Sequence, residues 1–221
     1  MWRSEKHVIE LAHIKYRSAP NKLNNDTNSS KLLLYTITYD RPKRLQYFQR
    51  MINIFRQIPN MTWIVCEDSD HKDDSLAQLV KDSGIDCVHL HHGPTRDKGN
   101  EQRNEILKYI RDHNLDGIVY SCDDDNNWRP ELFEELRKTK KISTIPIGNL
   151  GRGIEQPISV DGKIVDWDAG WKSRKYPLDM GGFAFHSSLI REKFAAGDIW
   201  KHKGFAGETQ FIEQLINDRI A

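Results

Sequence analysis

No run of apolar residues in this chain approaches the roughly 20 needed to span a bilayer, and no signal-peptide pattern follows Met1, so the sequence as it stands reads as soluble. A surplus of one charge sign is also lacking. The 33 Lys and Arg nearly cancel the 32 Asp and Glu, leaving a formal +1, which argues against nucleic acid or an anionic membrane surface as the principal partner. Cysteine is scarce and odd in number. Cys66, Cys87 and Cys122 lack metal-type spacing and each lies in or beside an apolar run, which excludes a disulfide framework and leaves buried free thiols. There is no internal repeat, and the single biased tract, Ser18 to Ser30, is an Asn-, Ser-, Pro- and Lys-rich lead-in. Sequons at Asn25, Asn28 and Asn60 are too short a signal to decide a compartment.

What is present is a core and a run of acids. At 221 residues, with six Trp and eight Phe, the chain suffices for one domain or two closely joined halves. Gly117 to Cys122 is apolar, β-branched and aromatic, too short for a helix, and runs directly into Asp123-Asp124-Asp125. A strand buried on both faces implies a parallel sheet with helical cover. Three adjacent carboxylates repel one another unless a cation sits among them, and hard oxygen donors suit Mg²⁺ or Mn²⁺ holding substrate phosphates. The bland alternative is a solvated acidic turn or helix N-cap.

Before that stretch, strands and helices alternate. Strands are expected at Lys31 to Thr38, Thr62 to Cys66, Ile85 to Leu90 and Gly117 to Cys122. Helices are expected over Leu45 to Phe55, around Leu76 to Val80, and over Glu101 to Asp112, with Gly93 to Asn100 a loop. This is the pattern of a wound, mostly parallel α/β sheet with right-handed crossovers. Later come a helix over Pro130 to Lys138 and a strand over Ile142 to Ile147. An irregular glycine-bearing segment, Gly148 to Gly153, precedes a hairpin turning at Asp161-Gly162. A loop over Trp167 to Pro177, a strand over Met180 to Phe185 and a last helix over Gly207 to Ile220 complete the pattern. The expected organisation is a lead-in over 1–30 and one domain over 31–221, whose first half (31–127) looks like a nucleotide-binding sheet and whose second (128–221) supplies a smaller acceptor-facing layer.

Four polar clusters fall at or after strand ends: Thr38-Tyr39, Glu67-Asp68, Lys98 to Arg103, and Asp123 to Asp125. Open α/β sheets bind ligands at that edge. An aromatic such as Tyr39 stacks on a base, Asp68 accepts a base N–H, and Lys98 and Arg103 meet phosphate oxygens. The residues alone thus point to a nucleotide-sugar pocket and leave the sugar and the acceptor open.

The ordered set goes further. Thr36-Ile37-Thr38-Tyr39-Asp40-Arg41-Pro42, Trp63 to Asp68, Glu101-Gln102-Arg103-Asn104 and Gly117 to Asn126 come first. Glu131 to Arg137, Gly170-Trp171, Asp179-Met180, Gly182-Phe183-Ala184 and Gly207-Glu208-Thr209 follow. From about Lys31 onward this set resembles the β-1,3-glucuronosyltransferase family. The resemblance implies a GT-A glycosyltransferase fold, Rossmann-like with a smaller acceptor-binding part. It also implies Mn²⁺-dependent, inverting transfer of glucuronic acid from UDP-glucuronic acid to the 3-hydroxyl of a galactose-terminated glycan.

The resemblance assigns roles residue by residue. Ile37, Thr38 and Tyr39 match the uridine-contacting turn, with Ile37 standing where relatives usually carry Pro. Asp68 matches the uracil-reading acid and Arg103 a donor-gripping arginine. Lys98 stands where a second family arginine sits, keeping the charge but losing the bidentate fork. Asp123 and Asp124 match donor contacts and Asp125 the direct Mn²⁺ ligand. Glu155, Trp171, Arg174 and Asp179 match substrate contacts; Arg174 is placed by counting back from Asp179, and Lys175 competes with it. Glu208 matches the catalytic base, where its plainer role would be a helix N-terminal acid. Inversion by one in-line displacement needs one carboxylate to take the acceptor's proton, while a divalent ion stabilises the departing diphosphate.

Relatives carry an N-terminal membrane anchor and a C-terminal segment whose His and Arg clasp the diphosphate; this sequence starts without the first and ends at Ala221 before the second. The resemblance implies the lumenal side of the Golgi membrane, attachment through that anchor alone, and a possible homodimer. Two other readings stay open: a catalytically impaired UDP- or glycan-binding homologue, and the same fold working with another UDP-sugar.

Overall fold

The computed structural model describes residues 12–13, 30–97, 99–149, 153–161, 163–201 and 207–216. A seven-stranded sheet forms the centre, in the order β1-β6-β10-β5-β2-β3-β4. Its strands are β1 (Ala12–His13), β2 (Leu32–Thr38), β3 (Met61–Glu67), β4 (Cys87–His91), β5 (Ile118–Ser121), β6 (Ile142–Thr144) and β10 (Phe183–His186). Strands β2, β3, β4 and β5 run parallel, while β10 is antiparallel to both its neighbours. The crossovers α1 (Arg44–Phe55), α2 (Asp74–Asp82) and α3 (Asn100–Asp112) join the parallel strands, and α4 (Pro130–Leu136) follows β5. The alternation expected from hydrophobic pattern is therefore present.

The triple leucine at the start of β2 shows why the sheet is covered twice. Leu32 and Leu34 face one layer, with Phe48, Phe55, Leu76, Val80 and Phe133 from α1, α2 and α4. Leu33 and Tyr35 face the other, with Ile106, Leu107, Ile110 and Phe211 from α3 and α6 (Glu208–Ile216). A strand alternates its side chains, so an unbroken apolar run is stable only when both faces are dry. Trp63 is the largest fully buried side chain. It stacks on Phe48 at 5.3 Å, meets Phe55 edge-on at 5.1 Å, and donates its indole N–H to Thr36 Oγ1 at 3.0 Å. Burial of each such side chain stabilises by about 1.5–3 kcal/mol. The thiols of Cys66 and Cys122 are buried and that of Cys87 partly so; burial pushes Cys66 and Cys87 up to about 12, which leaves them inert.

Several expectations change in the second half. The strand expected at Met180 begins at Phe183, because Asp179 caps a 3₁₀ turn over Met180–Gly182, accepting the Gly181 N–H at 3.4 Å. The irregular Gly148 to Gly153 segment carries β7 (Ile147–Asn149), and β8 (Gly153–Val160) pairs with β9 (Lys163–Asp168) in a longer hairpin than Asp161-Gly162 alone suggests. That hairpin holds Trp167, which hydropathy alone places in the following loop. Helix α5 (Ser188–Lys193), six residues long, was too short to show a period. Lys98 of the expected Lys98 to Arg103 cluster lies outside the described residues, as do 217–220 of the last helix and the whole tract from 14 to 29. Among the described residues no helix is long and apolar enough to cross a membrane.

Candidate active site

The parallel strands end together, at Thr38, Glu67, His91 and Ser121. Chain order moves from β2 outward to β3 and β4, then returns to place β5 on the other side of β2. Such a reversal opens a crevice at the carboxyl ends of the strands. It lies between β2 and β5, and Thr38 Oγ1 donates across it to Asp124 Oδ2 at 2.7 Å.

A cavity of about 640 Å³ occupies the crevice. Its walls include Ile37, Thr38, Tyr39, Asp68, Arg103 and all three acids, Asp123, Asp124 and Asp125. Residues from all four clusters thus meet as expected, with one exception in the Glu67-Asp68 pair. Glu67 turns inward instead, 1 % exposed, bonding Arg44 at 2.9 Å, His89 at 2.7 Å and the Asp73 N–H at 2.9 Å. It fixes the start of α1 and the turn before α2. Asp68 faces the cavity: Oδ1 accepts from the Thr95 N–H at 2.7 Å and Gln102 Nε2 at 2.9 Å. Gly93 permits this, since a Cβ there would meet Asp68 Oδ1 at 2.3 Å. Thr95, Arg96, Gln102 and Arg41 also line the cavity. Sequence reasoning gave none of them a site role. Gln102 sits inside a quoted motif, but its work is done through Asp68, 34 positions away.

The three acids do not form a cage. Asp123 accepts from Ser121 Oγ at 3.3 Å, and burial, with Asp179, Asp125 and Asp124 adding to it against Arg103, pushes its carboxyl up to about 6. Asp124 pairs with Arg41 and Thr38; burial raises its pKa in spite of both. Asp125 has a side chain 55 % exposed, and Arg41 Nη1 lies 3.5 Å from it. Among the described residues no three His, Cys, Asp or Glu converge on a metal position. The cation lodged beside these acids is the Arg41 guanidinium. Arg50 of α1 braces the turn from below, donating to the Asp124 and Asn126 carbonyls at 3.3 and 3.0 Å.

A second cavity, about 660 Å³, shares Asp123 and Asp125 with the first and runs past Trp128, Pro146 and Gly148 to Asp179. Glu155, expected at a sugar, is 2 % exposed, and its Oε2 accepts the Asp179 N–H at 3.0 Å, so it holds Asp179 in place. Glu208, first residue of α6, forms an ion pair with Arg174 at 3.1 Å. Arg174 lies over the Trp171 ring at 5.0 Å, while Lys175 pairs with Glu213 at 3.1 Å and is mostly exposed. Geometry thus favours Arg174 over Lys175 as the residue beside the carboxylate. Burial raises the Glu208 pKa, Asp179 raises it further, and Arg174 and Arg103 lower it. Those influences tie Glu208 to the same electrostatic neighbourhood as Asp123, which also responds to Arg103 and Asp179.

A mostly parallel sheet, a carboxyl-end crevice and an acidic turn facing two adjoining cavities define a GT-A type glycosyltransferase fold. Two solved structures share it. Staphylococcus aureus TarS 1–349 matches with a TM-score of 0.55 at 13 % identity, covering 84 % of this chain and 55 % of that one. The mannosyltransferase PcManGT from Pyrobaculum calidifontis, in complex with GDP-Man and Mn²⁺, matches at 0.50 and 14 %, covering 90 % and 55 %.

The chain belongs to glycosyltransferase family 43, whose pattern matches residues 51–220. Human galactosylgalactosylxylosylprotein 3-beta-glucuronosyltransferase 2 is 32 % identical over 197 residues, covering 81 % of this chain and 60 % of the relative. Human galactosylgalactosylxylosylprotein 3-beta-glucuronosyltransferase 1 is 31 % identical over 238 aligned positions, covering 96 % and 70 %. The chain spans about 60 % of the length of the first of these relatives.

Proposed function

We propose that this chain transfers glucuronic acid from UDP-glucuronic acid to the 3-hydroxyl of a terminal galactose on a glycan, inverting the anomeric centre. The observation that carries this reading is the pair of cavities meeting at Asp123 and Asp125, with Glu208 in the same electrostatic neighbourhood. The names of the relatives supply the sugar and the acceptor class. In this reading Tyr39 stacks on uracil, the outer oxygen of Asp68 accepts its imino N–H, and Arg103 meets donor oxygens. Residues 31–127 serve the donor and 128–221 the acceptor, with Trp171 and Asp179 toward the sugars. Glu155 acts through Asp179.

Glu208 takes the proton of the attacking hydroxyl. Its burial suits the task, because a raised pKa makes the carboxylate a stronger base. Arg174 orients it and keeps it charged. Asp125 fits a divalent ion: it is a hard, exposed oxygen donor on the rim shared by both cavities, and Mg²⁺ or Mn²⁺ characteristically uses one or two carboxylates and completes its shell with phosphates and water. When bound, Mn²⁺ would supply charge neutralisation of the leaving diphosphate. The matching compartment is the Golgi lumen.

Incubation of the chain with radiolabelled UDP-glucuronic acid and a galactose-terminated acceptor, with and without Mn²⁺, tests this. Transfer that requires the metal supports it. UDP binding by calorimetry without turnover would favour a binding homologue, and turnover with another UDP-sugar would replace the donor.

A further inference from the structure

The acid turn already holds a cation of its own. Arg41 reaches it from the loop between β2 and α1 and spans two carboxylates, pairing tightly with buried Asp124 and more loosely with exposed Asp125 at 3.5 Å. Its guanidinium lies between two rings, 5.1 Å from Tyr39 and 5.2 Å from Tyr47. Four contacts therefore hold it in one place. Among the described residues it is the basic group paired with Asp125.

We propose that Arg41 is a resident counter-charge that makes capture of a divalent cation at Asp125 conditional on the donor's diphosphate. This rests on the reading above, in which Asp125 is the residue that takes the ion.

Two physical points carry it. The first is local repulsion. An ion on Asp125 would share that carboxylate with a guanidinium, and even with the full screening of water a divalent and a monovalent cation a few Å apart lose on the order of tenfold in affinity. The second is the charge of the cavity. Among the described residues four aspartates and three arginines line it, a net of −1, which a divalent ion alone turns to +1. A diphosphate restores the balance and offers Arg41 oxygens that replace Asp125. Asp124 keeps Thr38 Oγ1 as a second partner, so the tight half of the arginine's pairing survives the exchange. The loose half, on Asp125, is the part that opens.

Mn²⁺ titration followed by the electron paramagnetic resonance of the free aquo ion reads this without turnover. The proteins are the full 221-residue chain, its Arg41→Gln and Arg41→Lys variants, and Asp125→Asn, each with and without UDP. The unaltered chain should bind Mn²⁺ weakly alone and at least tenfold more tightly with UDP. Arg41→Gln should bind Mn²⁺ alone about tenfold more tightly than the unaltered chain, and the gain on adding UDP should shrink. Lysine keeps a charge but lacks the fork that spans both carboxylates, so Arg41→Lys should fall between, and it serves as the readout should Arg41→Gln not fold. If neither variant binds Mn²⁺ more tightly than the unaltered chain, while UDP still recruits the ion through Asp125, the gating role is overturned and the proposed function stands. If UDP recruits no Mn²⁺, or recruits it equally to Asp125→Asn, the metal assignment fails and this inference falls with it.

Discussion

At the scale of single residues, the site is a set of carboxylates in different states. Glu208 as general base predicts that Glu208→Gln lowers turnover by about 10²–10⁴-fold, with UDP affinity unchanged by calorimetry. The pH dependence has a definite sign. A base must be deprotonated, so the rate rises as pH climbs through the folded pKa, which burial sets above the ordinary glutamate value. Arg174 works against that rise, so Arg174→Met should move the acid limb of the pH–rate profile to still higher pH. An unmoved limb would mean that another group takes the proton. Asp123 gives the complementary stability prediction. Its carboxyl titrates at about 6 in the folded chain against an ordinary 3.8, so the folded state binds the proton more strongly. Its charged form costs stability above about pH 6, and the cost disappears as pH falls toward 3.8. Asp123→Asn should stabilise the chain by about 1–2 kcal/mol at pH 7.5 after discounting for partial exposure, with no gain near pH 3.5 and with loss of transfer. Thermal melting at both pH values checks this.

Elements place those residues, and they were legible to different degrees. Leu32-Leu33-Leu34 and Ile118-Val119-Tyr120 announce buried parallel strands because both faces of each are packed, and the acids after Ser121 then fall at the ligand-binding edge. The direction of β10 was not legible, since Phe183-Ala184-Phe185 alternates identically whichever way the strand runs. Arg41 and Gln102 were not legible as site residues because each acts through a partner 83 or 34 positions away, a relation that only tertiary contact creates. Glu67 and Asp68 look alike in sequence, yet strand alternation sends one toward Arg44 and leaves the other facing the cavity. The segment from β4 to α3 carries its own prediction. Gly93 has φ +135° and no room for a Cβ beside Asp68. Gly93→Ala should therefore displace the Asp68 carboxylate, lower the melting temperature and raise the donor KM by roughly tenfold, the effect of losing about 1.4 kcal/mol of binding. Acceptor KM should stay put. Equal effects on both substrates would place Asp68 elsewhere than at the base.

Across the whole molecule, the proposed function divides the work between a donor region and an acceptor region. Ile37, Tyr39, Asp68 and Arg103 line the first cavity; Trp171, Arg174 and Glu208 line neither cavity but cluster around one ion pair at the start of α6. If donor binding belongs to the first group alone, it should be separable from acceptor binding. UDP with Mn²⁺ at about 100 times its Kd should stabilise the fold by about 2.7 kcal/mol, and for a chain of this size that is a rise in melting temperature of roughly 5–10 °C. Asp68→Asn should diminish that rise. Trp171→Ala should leave it intact, because the indole is 47 % exposed and contacts Arg174, not the crevice between β2 and β5. The same variant should raise acceptor KM by about tenfold, as expected when an aromatic platform for a sugar ring is removed. Loss of the UDP-induced shift in Trp171→Ala would show that donor and acceptor regions are one energetic unit, and the two-part organisation of the site would have to be abandoned.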